Sequence, residues 1–429
     1  MTATAPEAHA AGGRLDFIPV LEGWRGYAAL YVVLHHCWVA AYFPALDGGL
    51  GRALIGGGPA ALDFFFVVSG FVLFLPVARN GGRFGSVSAY AVRRFARIAP
   101  AFYASLLGIV LLWPLVSPDL STNFFTWTNV QALGAHLPFL HHVLLGLLEP
   151  GLLPGFEGFR VNPAIWSLTV EFMFYVLLPL VAGAYFRRPF LGLAVAVAIQ
   201  LVWRGAMWEI GERLGPAWDE REATQLVGQL SAQLPGFAGN LAAGMTAAYL
   251  YVVLSSGAAR GLLASAARHT VAIQMAAVAL LLATLVLVGE PNADRETFVA
   301  VDVGVAYATL RNLVPALLCA VIALAAAAGP DRAAWFWTNP FARWLGRVSY
   351  GMFLWHSIVI WFAIRQLDMV GDGSNRLAFE FAAIVVPASA LLGWLSFRFV
   401  EGPSQRWART VIRARRARVE PAATSPDRA

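Results

Sequence analysis

The 429-residue chain contains no lysine, only two cysteines and few charged residues of either sign. Without lysine it cannot supply the phosphate-binding lysine of a Walker loop or a lysine Schiff base, which excludes two large groups of enzymes. Both cysteines, Cys37 and Cys319, lie in apolar runs. We therefore expect them to fill the core, and we expect no disulfide framework and no cysteine metal site.

Hydrophobic residues make up 59% of the chain and charged residues 13%. The mean hydropathy of +0.63 is too high for a water-soluble globule. The 40 glycines and 24 prolines follow no three-residue period, which excludes a collagen-like chain. The composition predicts a multi-span membrane protein with an all-α fold.

Crossing the hydrocarbon layer takes roughly 17–25 apolar residues, and ten segments meet or approach that length. They are residues 20–43, 58–78, 98–116, 164–186, 190–207, 236–254, 270–288, 301–328, 349–366 and 378–399. Asp302 and Arg311 interrupt the eighth, so that 312–328 is its clean part. We predict a bundle of about ten transmembrane helices over 20–403, after an N-terminal segment 1–19 and before a basic, solvated tail 404–429.

The arginines predict the orientation of the bundle. Five lie in the connection 79–97 and six between positions 406 and 418, which places both segments in the cytoplasm. An even number of spans puts both termini on that side of the cell membrane. The first span carries Glu22 and Arg25 and is too long for a cleaved signal. Because topology explains the net charge of +6, we expect the bilayer as partner and no nucleic acid.

The connection 117–163 is the longest on the outer side. Its apolar stretch 130–148 predicts a helix lying in the membrane interface. Three histidines lie along this stretch, but their spacing is not that of a helical zinc pair, and the adjacent two diverge by about 100°. We expect His136, His141 and His142 to face the interface or the solvent, and we predict no metal site.

Ionisable groups inside a span cost about 2.5–3.5 kcal/mol each on insertion scales, so each needs a partner or a function. In the first span Arg25 and His36 are eleven residues apart and share a helix face, whereas His35 points about 80° away from it. We favour His36 as the functional imidazole. The alternative is a pair of histidines that are hydrogen-bonded between helices.

Other spans also carry polar residues that could be either functional or structural. Asp63 and Ser69-Gly70 in the second span indicate either a site or interface anchoring with close helix packing. Arg94 and Arg97 share a face at the cytoplasmic mouth; they fit a clamp for a cosubstrate's phosphates, although topology alone explains their charge.

Two further groups lie deeper in their spans. Glu171 is about two turns into the fourth span, where Arg25 or Arg311 could neutralise it, so a structural ion pair and a catalytic role both stay open. In the ninth span Ser349 and His356 are seven residues apart and share a face, which provides a second intramembrane imidazole.

Taken in order, these blocks resemble the acyltransferase-3 family of integral membrane acyltransferases. The matching blocks are Leu21–His36, Asp63–Phe71, Arg94–Tyr103, Trp166–Tyr175, Ser349–His356 and Phe397–Pro403. They cover nearly the whole chain. One departure is Glu22, where the family often has aspartate.

The resemblance implies transfer of an acyl group, usually acetyl, from cytosolic acyl-coenzyme A to a hydroxyl of a sugar or other acceptor. It makes His36 the essential histidine, Arg25 its companion, and Arg94 with Arg97 the arginines associated with the coenzyme. Acyl-coenzyme A is then a cosubstrate, and no tightly bound cofactor is expected. Further candidates from the matching blocks are Glu171 for catalysis, Ser69, Gly70, Phe71 and Tyr103 for the donor, and Asp63, Trp166 and His356 for the acceptor.

The chemistry of the residues fits these roles. An imidazole can take the proton of the acceptor hydroxyl near neutral pH, and Arg25 or Ser69 could stabilise the oxyanion that forms at the thioester carbonyl. We expect the thioester to reach inward to His36, so that the acceptor is acylated from the far side. A saccharide, a glycolipid and a glycosylated natural product are all open as acceptors.

Two rival functions remain. A transporter or flippase would also carry buried arginine, glutamate and histidine, but this chain shows no matching halves. An inactive sensory or scaffold protein of the same fold is disfavoured because the full set of polar motif residues is present.

Overall fold

The computed structural model describes residues 18–42, 44, 51, 57–58, 60–117, 122–143, 161–214, 227–228, 230–288 and 304–419. These residues form helices and turns and contain no strand. The main helices are α1 Pro19–Ala40, α2 Ala60–Arg79, α3 Val87–Val116, α4 Trp127–His136, α5 Trp166–Arg187, α6 Pro189–Leu214, α7 Ala238–Ser255, α8 Gly261–Ala267, α9 Thr270–Val288, α10 Gly304–Ala328, α11 Asp331–Thr338, α12 Pro340–Gln366, α13 Asn375–Ser396 and α14 Gly402–Val419.

A helix lies at each of the ten predicted spans. Eight of them are long and apolar enough to cross a membrane. The other two are α1, which carries Glu22 and Arg25, and α10, whose apolar part is Asn312–Ala328. The predicted fold, a polytopic membrane helix bundle, is confirmed. Cys37 and Cys319 are buried as free thiols, and their burial agrees with the predicted role as core residues.

Two helices begin well before the apolar segments that marked them. Helix α3 starts at Val87, where the side chain of Ser86 accepts a hydrogen bond from the backbone N–H of Ala89. Helix α12 starts at Pro340, where Asn339 caps the backbone N–H of Ala342 in the same way. Hydropathy marks the part of a helix that lies in lipid and not its capped ends. Arg94 and Arg97 therefore lie on a helix and not in a connection.

The basic tail predicted from residue 404 is helical over the residues described. They form helix α14, which packs against α3. Ser404 donates a hydrogen bond to the carbonyl of Ala96, and Ala408 is buried. Ser404 and Ala408 therefore face α3, while Arg406, Arg409, Arg413 and Arg415 are exposed. Residues 420–429 lie beyond the described part of the chain.

Glycines bring helices into close contact. A Cβ on Gly26 of α1 would lie 2.6 Å from the backbone nitrogen of Gly346 on α12, so the two backbones meet there without side chains between them. A Cβ on Gly70 of α2 would lie 2.1 Å from the carbonyl oxygen of Leu241 on α7. These two crossings fix α1 against α12 and α2 against α7.

The segment 122–143 does not lie flat at one end of the bundle. Phe124, near its start, packs against Trp113 of α3 with ring centroids 5.2 Å apart. Phe139, near its end, stacks on Phe102 of α3 at 4.2 Å and on Phe172 of α5 at 5.3 Å. Trp113 and Phe102 are eleven residues apart, or about 16 Å along the helix. The segment thus runs into the bundle alongside α3.

The prediction for the three histidines of this segment is wrong, because all three side chains are buried. The rings of His136 and His141 stack in parallel with centroids 4.2 Å apart. His136 donates from Nδ1 to the carbonyl of Ala132 at 2.6 Å, and His141 from Nε2 to the carbonyl of Ile165 at 3.1 Å. The inward course of the segment explains their burial.

Candidate active site

The two intramembrane imidazoles meet in the structure. Nδ1 of His36 on α1 lies 3.1 Å from Nε2 of His356 on α12. Nδ1 of His356 lies 2.7 Å from the carbonyl oxygen of Phe353 one turn earlier. His356 is fully buried and His36 is partly buried.

These contacts define which nitrogens carry protons. A carbonyl only accepts, so Nδ1 of His356 is the protonated nitrogen, and Nε2 of neutral His356 is an acceptor. His36 then donates to it from Nδ1. In neutral His36 this leaves Nε2 with a free lone pair.

His35 lies in different surroundings from its neighbour. Its ring packs so closely under the turn at Gly58 that a Cβ there would lie 2.1 Å from it. The ring also lies 5.8 Å from that of Trp38. The divergence of His35 from His36 predicted from helical geometry is thus present in the structure.

One end of the bundle is rich in arginine; we call it the arginine-rich end. Its guanidinium groups are those of Arg25, Arg94, Arg97, Arg343 and Arg347. Arg25 lies within electrostatic range of Arg97, Glu171 and Arg94. Arg25 and His36 share a face of α1 and are about 16 Å apart along its axis. The two imidazoles therefore lie well inside the bundle as seen from the arginine-rich end.

Glu171 links three helices at this end. Its Oε1 accepts hydrogen bonds from the hydroxyl of Ser69 on α2, at 2.9 Å, and from that of Tyr175, at 2.6 Å. Of the two arginines considered as its partners, Arg25 lies within electrostatic range. The side chain of Arg311 lies outside the described part of the chain. Both hydroxyls donate to the same carboxyl oxygen of Glu171.

Arg94 lies between two aromatic rings. Its guanidinium carbon is 5.9 Å from the ring centroids of both Tyr90 and Tyr175. Its Nε is buried and makes no hydrogen bond with any described residue. Cation–π contacts fix a guanidinium group while leaving its N–H donors available. Arg94 can therefore donate to an anionic ligand such as a phosphate.

The remaining candidates lie elsewhere in the fold. Asp63 is buried, and Oδ1 accepts a hydrogen bond from Asn240 of α7 at 2.7 Å. Gly70 forms the close crossing of α2 and α7, and Phe71 is fully buried beside it. The hydroxyl of Tyr103 donates to the carbonyl of Leu137 in the inward-running segment at 2.7 Å.

Trp166 also contacts that segment. Its ring centroid lies 5.2 Å from that of His142 and 6.0 Å from that of Phe237. The structure brings together His36 with His356, and Arg25 with Arg94, Arg97, Glu171 and Ser69. It gives Asp63, Gly70, Phe71, Tyr103 and Trp166 packing or hydrogen-bonding partners outside these two groups.

Two residues that sequence reasoning did not single out join the arginine-rich end. Tyr175 donates to Glu171 and lies beside Arg94. Glu401 is 2% exposed and lies within electrostatic range of Arg97 and Arg25. Tyr175 lies one helical turn from Glu171, and this four-residue spacing in the sequence could have indicated their contact. Glu401 lies in the last matching block, but only folding brings it to α3.

The model of the acyltransferase-3 domain matches residues 18–398. The chain belongs to this family. It is similar to the peptidoglycan O-acetyltransferase OatA of Listeria monocytogenes, with 23% identity over 91% of this chain and 56% of the relative. It is 24% identical to the putative peptidoglycan O-acetyltransferase YrhL of Bacillus subtilis over 90% of this chain and 55% of that protein.

A shorter similarity links the chain to the acyltransferase MdmB of Streptomyces mycarofaciens. The two are 33% identical over 39% of this chain and 40% of the relative. The chain thus spans between about 40% and 56% of the length of these relatives. No solved structure matches it significantly.

Proposed function

We propose that the chain is a membrane O-acyltransferase that moves an acyl group from acyl-coenzyme A to a hydroxyl of a saccharide-containing acceptor. The observation that carries this proposal is the arrangement of His36 and Arg25 on one face of α1. The helix holds an imidazole with a free Nε2 about 16 Å from a cluster of guanidinium groups. The names of the relatives, two of them peptidoglycan O-acetyltransferases, favour a saccharide acceptor.

The arginine-rich end is the proposed donor site. Coenzyme A carries several phosphate charges, and arginine suits phosphate through its planar, forked donors. Arg94 has a buried Nε without a hydrogen-bond partner in the described chain, and Arg97 and Arg25 add charge beside it. With the nucleotide bound here, the flexible pantetheine arm extends toward His36. The arginine bias favours a cytoplasmic position for this end and for both termini.

The reaction then needs one base and no metal. Nε2 of His36 takes the proton of the acceptor hydroxyl while that oxygen attacks the carbonyl carbon of the thioester. The tetrahedral intermediate collapses, the carbon–sulfur bond breaks, and the leaving sulfur takes the proton back from His36. The products are an ester and the free thiol of coenzyme A. His356 keeps His36 in the required tautomer by accepting from Nδ1.

Reconstitution into sealed vesicles tests this proposal. Radiolabelled acetyl-coenzyme A is placed on the side of the arginine-rich end, and a saccharide, a glycolipid or a glycosylated natural product on the other side. We expect labelled ester across the membrane. Transfer only when donor and acceptor share one side would contradict acylation from the far side.

Calorimetry on the same protein tests the donor site without an acceptor. We expect coenzyme A to bind, and Arg94→Gln to weaken binding about tenfold or more, as loss of a charge-assisted contact does. The exposed Arg409 of α14 provides the control Arg409→Gln. Wild-type protein that transports an acceptor but does not bind coenzyme A would favour the transporter instead.

A further inference from the structure

A π-helical turn at residues Phe397–Glu401 joins α13 to α14 and ends on a buried acid. Glu401 is 2% exposed, and its Oε1 accepts a hydrogen bond from the hydroxyl of Ser396 at 3.2 Å. Residues five apart point about 140° away from each other on an α-helix. The π turn, with its i→i+5 bonds, brings Ser396 and Glu401 to one face. The irregular turn therefore determines where the carboxylate points.

Two hydrogen bonds reach α3 on either side of Arg97, one from a residue just beyond the turn and one from α12. The hydroxyl of Ser404, just beyond the turn, donates to the carbonyl of Ala96. The hydroxyl of Tyr350 on α12 donates to the carbonyl of Ile98 at 3.0 Å. Side chains thus hold the residues before and after Arg97. The base of the Arg97 side chain is consequently fixed relative to Glu401.

The charges around Glu401 are those of the arginine-rich end. Arg97 is the strongest electrostatic neighbour of this carboxylate, and Arg25 is the next. A buried carboxylate is stabilised by the positive charges of the two arginines beside it. In return, it restricts where their guanidinium groups can lie. The bundle thus buries the carboxylate of Glu401 next to the arginines of the proposed donor site.

We propose that Glu401 is a positioning residue that orients Arg97, and with it Arg25, toward the phosphates of the acyl donor. This inference rests on the proposed function. Glu401 acts through the guanidinium groups and does not touch the reacting atoms. Its loss should therefore raise the KM for acyl-coenzyme A and leave kcat nearly unchanged.

The test compares Glu401→Gln with wild type in steady-state kinetics with two donors. Acetyl-coenzyme A carries the nucleotide phosphates, and acetyl-pantetheine lacks them. We expect KM for acetyl-coenzyme A to rise roughly tenfold, while KM for acetyl-pantetheine stays within about twofold. A merely structural role would affect both donors alike. The control is Glu380→Gln, since Glu380 lies on α13, the helix that leads into the π turn, and forms an exposed pair with Arg376.

A double-mutant cycle tests whether the effect passes through Arg97. If it does, Glu401→Gln changes KM little once Arg97 is already Gln. Equal rises for both donors, or additive effects with Arg97→Gln, would overturn the inference. Should Glu401→Gln fail to fold, Ser396→Ala takes its place; it removes the hydroxyl that donates to Glu401, and a smaller rise of about threefold with acetyl-coenzyme A alone is expected.

Calorimetry separates this inference from the proposed function. If wild-type protein does not bind coenzyme A, the proposed function fails, and this inference fails with it. If wild type binds and Glu401→Gln binds equally well, only the role of Glu401 is refuted.

Discussion

His36 and His356 lie 320 positions apart in the chain and 3.1 Å apart in the structure, Nδ1 to Nε2. The contact joins the first membrane helix to the ninth. It depends on the close crossing of α1 and α12, where Gly26 meets Gly346. The pair is asymmetric: His356 is hydrogen-bonded at both ring nitrogens, whereas His36 meets His356 through Nδ1 alone.

The first prediction concerns the adjacent histidines of α1. His36→Ala removes the proposed base and should lower kcat by about 10²–10⁴-fold. His35→Ala is the matched control, because His35 packs against the turn at Gly58, whereas it is His36 that meets His356. We expect His35→Ala to stay within a few-fold of wild type. Acyl transfer that survives in His36→Ala but not in His35→Ala would reverse the assignment.

The second prediction concerns the tautomer of His36. His356→Leu removes the acceptor for Nδ1 of His36, so we expect kcat to fall about 100-fold with little change in donor KM. His356→Gln provides an amide oxygen as a new acceptor and should restore most of the lost activity. The pH profile of kcat should shift in His356→Leu. Equal loss in both variants with an unchanged profile would mean that His356 only fills space.

Helical periodicity was sufficient to pair Arg25 with His36, because both residues lie on one helix and eleven residues make about three turns. It also separated His35 from His36. Helical periodicity could not predict the contact between His36 and His356, since this contact depends on how two helices that are distant in sequence cross. The same holds for Glu401, which reaches Arg97 only through a π turn that no hydrophobic pattern marks.

Hydropathy located a helix at each of the ten predicted spans, eight of them long and apolar enough to cross a membrane, because lipid requires apolar side chains over a fixed length. It could not show that α3 begins at Val87, since that end is defined by the cap at Ser86 and lies outside the apolar segment. The segment 122–143 illustrates the same limit. Apolar residues suit a helix that lies in the interface as well as a segment that runs into the bundle, and only the contacts of Phe124 and Phe139 distinguish them.

The third prediction concerns Gly70, a donor-site candidate from sequence that packs against α7. In Gly70→Ala the new Cβ would lie 2.1 Å from the carbonyl of Leu241, so the two helices must separate. We expect a loss of about 1–3 kcal/mol in unfolding free energy. Gly134→Ala of α4 is the control, because its Cβ meets open space, and alanine is favoured over glycine in a helix. Unchanged stability with a raised donor KM in Gly70→Ala would instead support a direct role in binding.

The fourth prediction concerns pH and the buried histidines of the segment 122–143. Burial lowers the pKa of His136 from its usual 6.5 to about 4. Burial also lowers the pKa of His141, and the neighbouring imidazoles of His136 and His142 add to that effect. Between about pH 4 and pH 6.5, the unfolded chain binds a proton at His136 that the folded protein does not bind. The stability that His136 contributes is therefore fully present above about pH 6.5 and is lost as the pH falls through about 4.

Thermal unfolding in detergent at pH 7.5, 6 and 4.5 measures this effect. We expect the Tm of the wild type to fall with pH, and His136→Phe, which keeps an aromatic ring against His141 but cannot be protonated, to reduce the fall. The control His269→Asn changes a histidine that is exposed to solvent and should leave the pH dependence as it is. If His136→Phe and wild type lose stability in parallel as the pH drops, the imidazole at position 136 is already protonated in the folded protein, and the inward-running segment does not keep it from water.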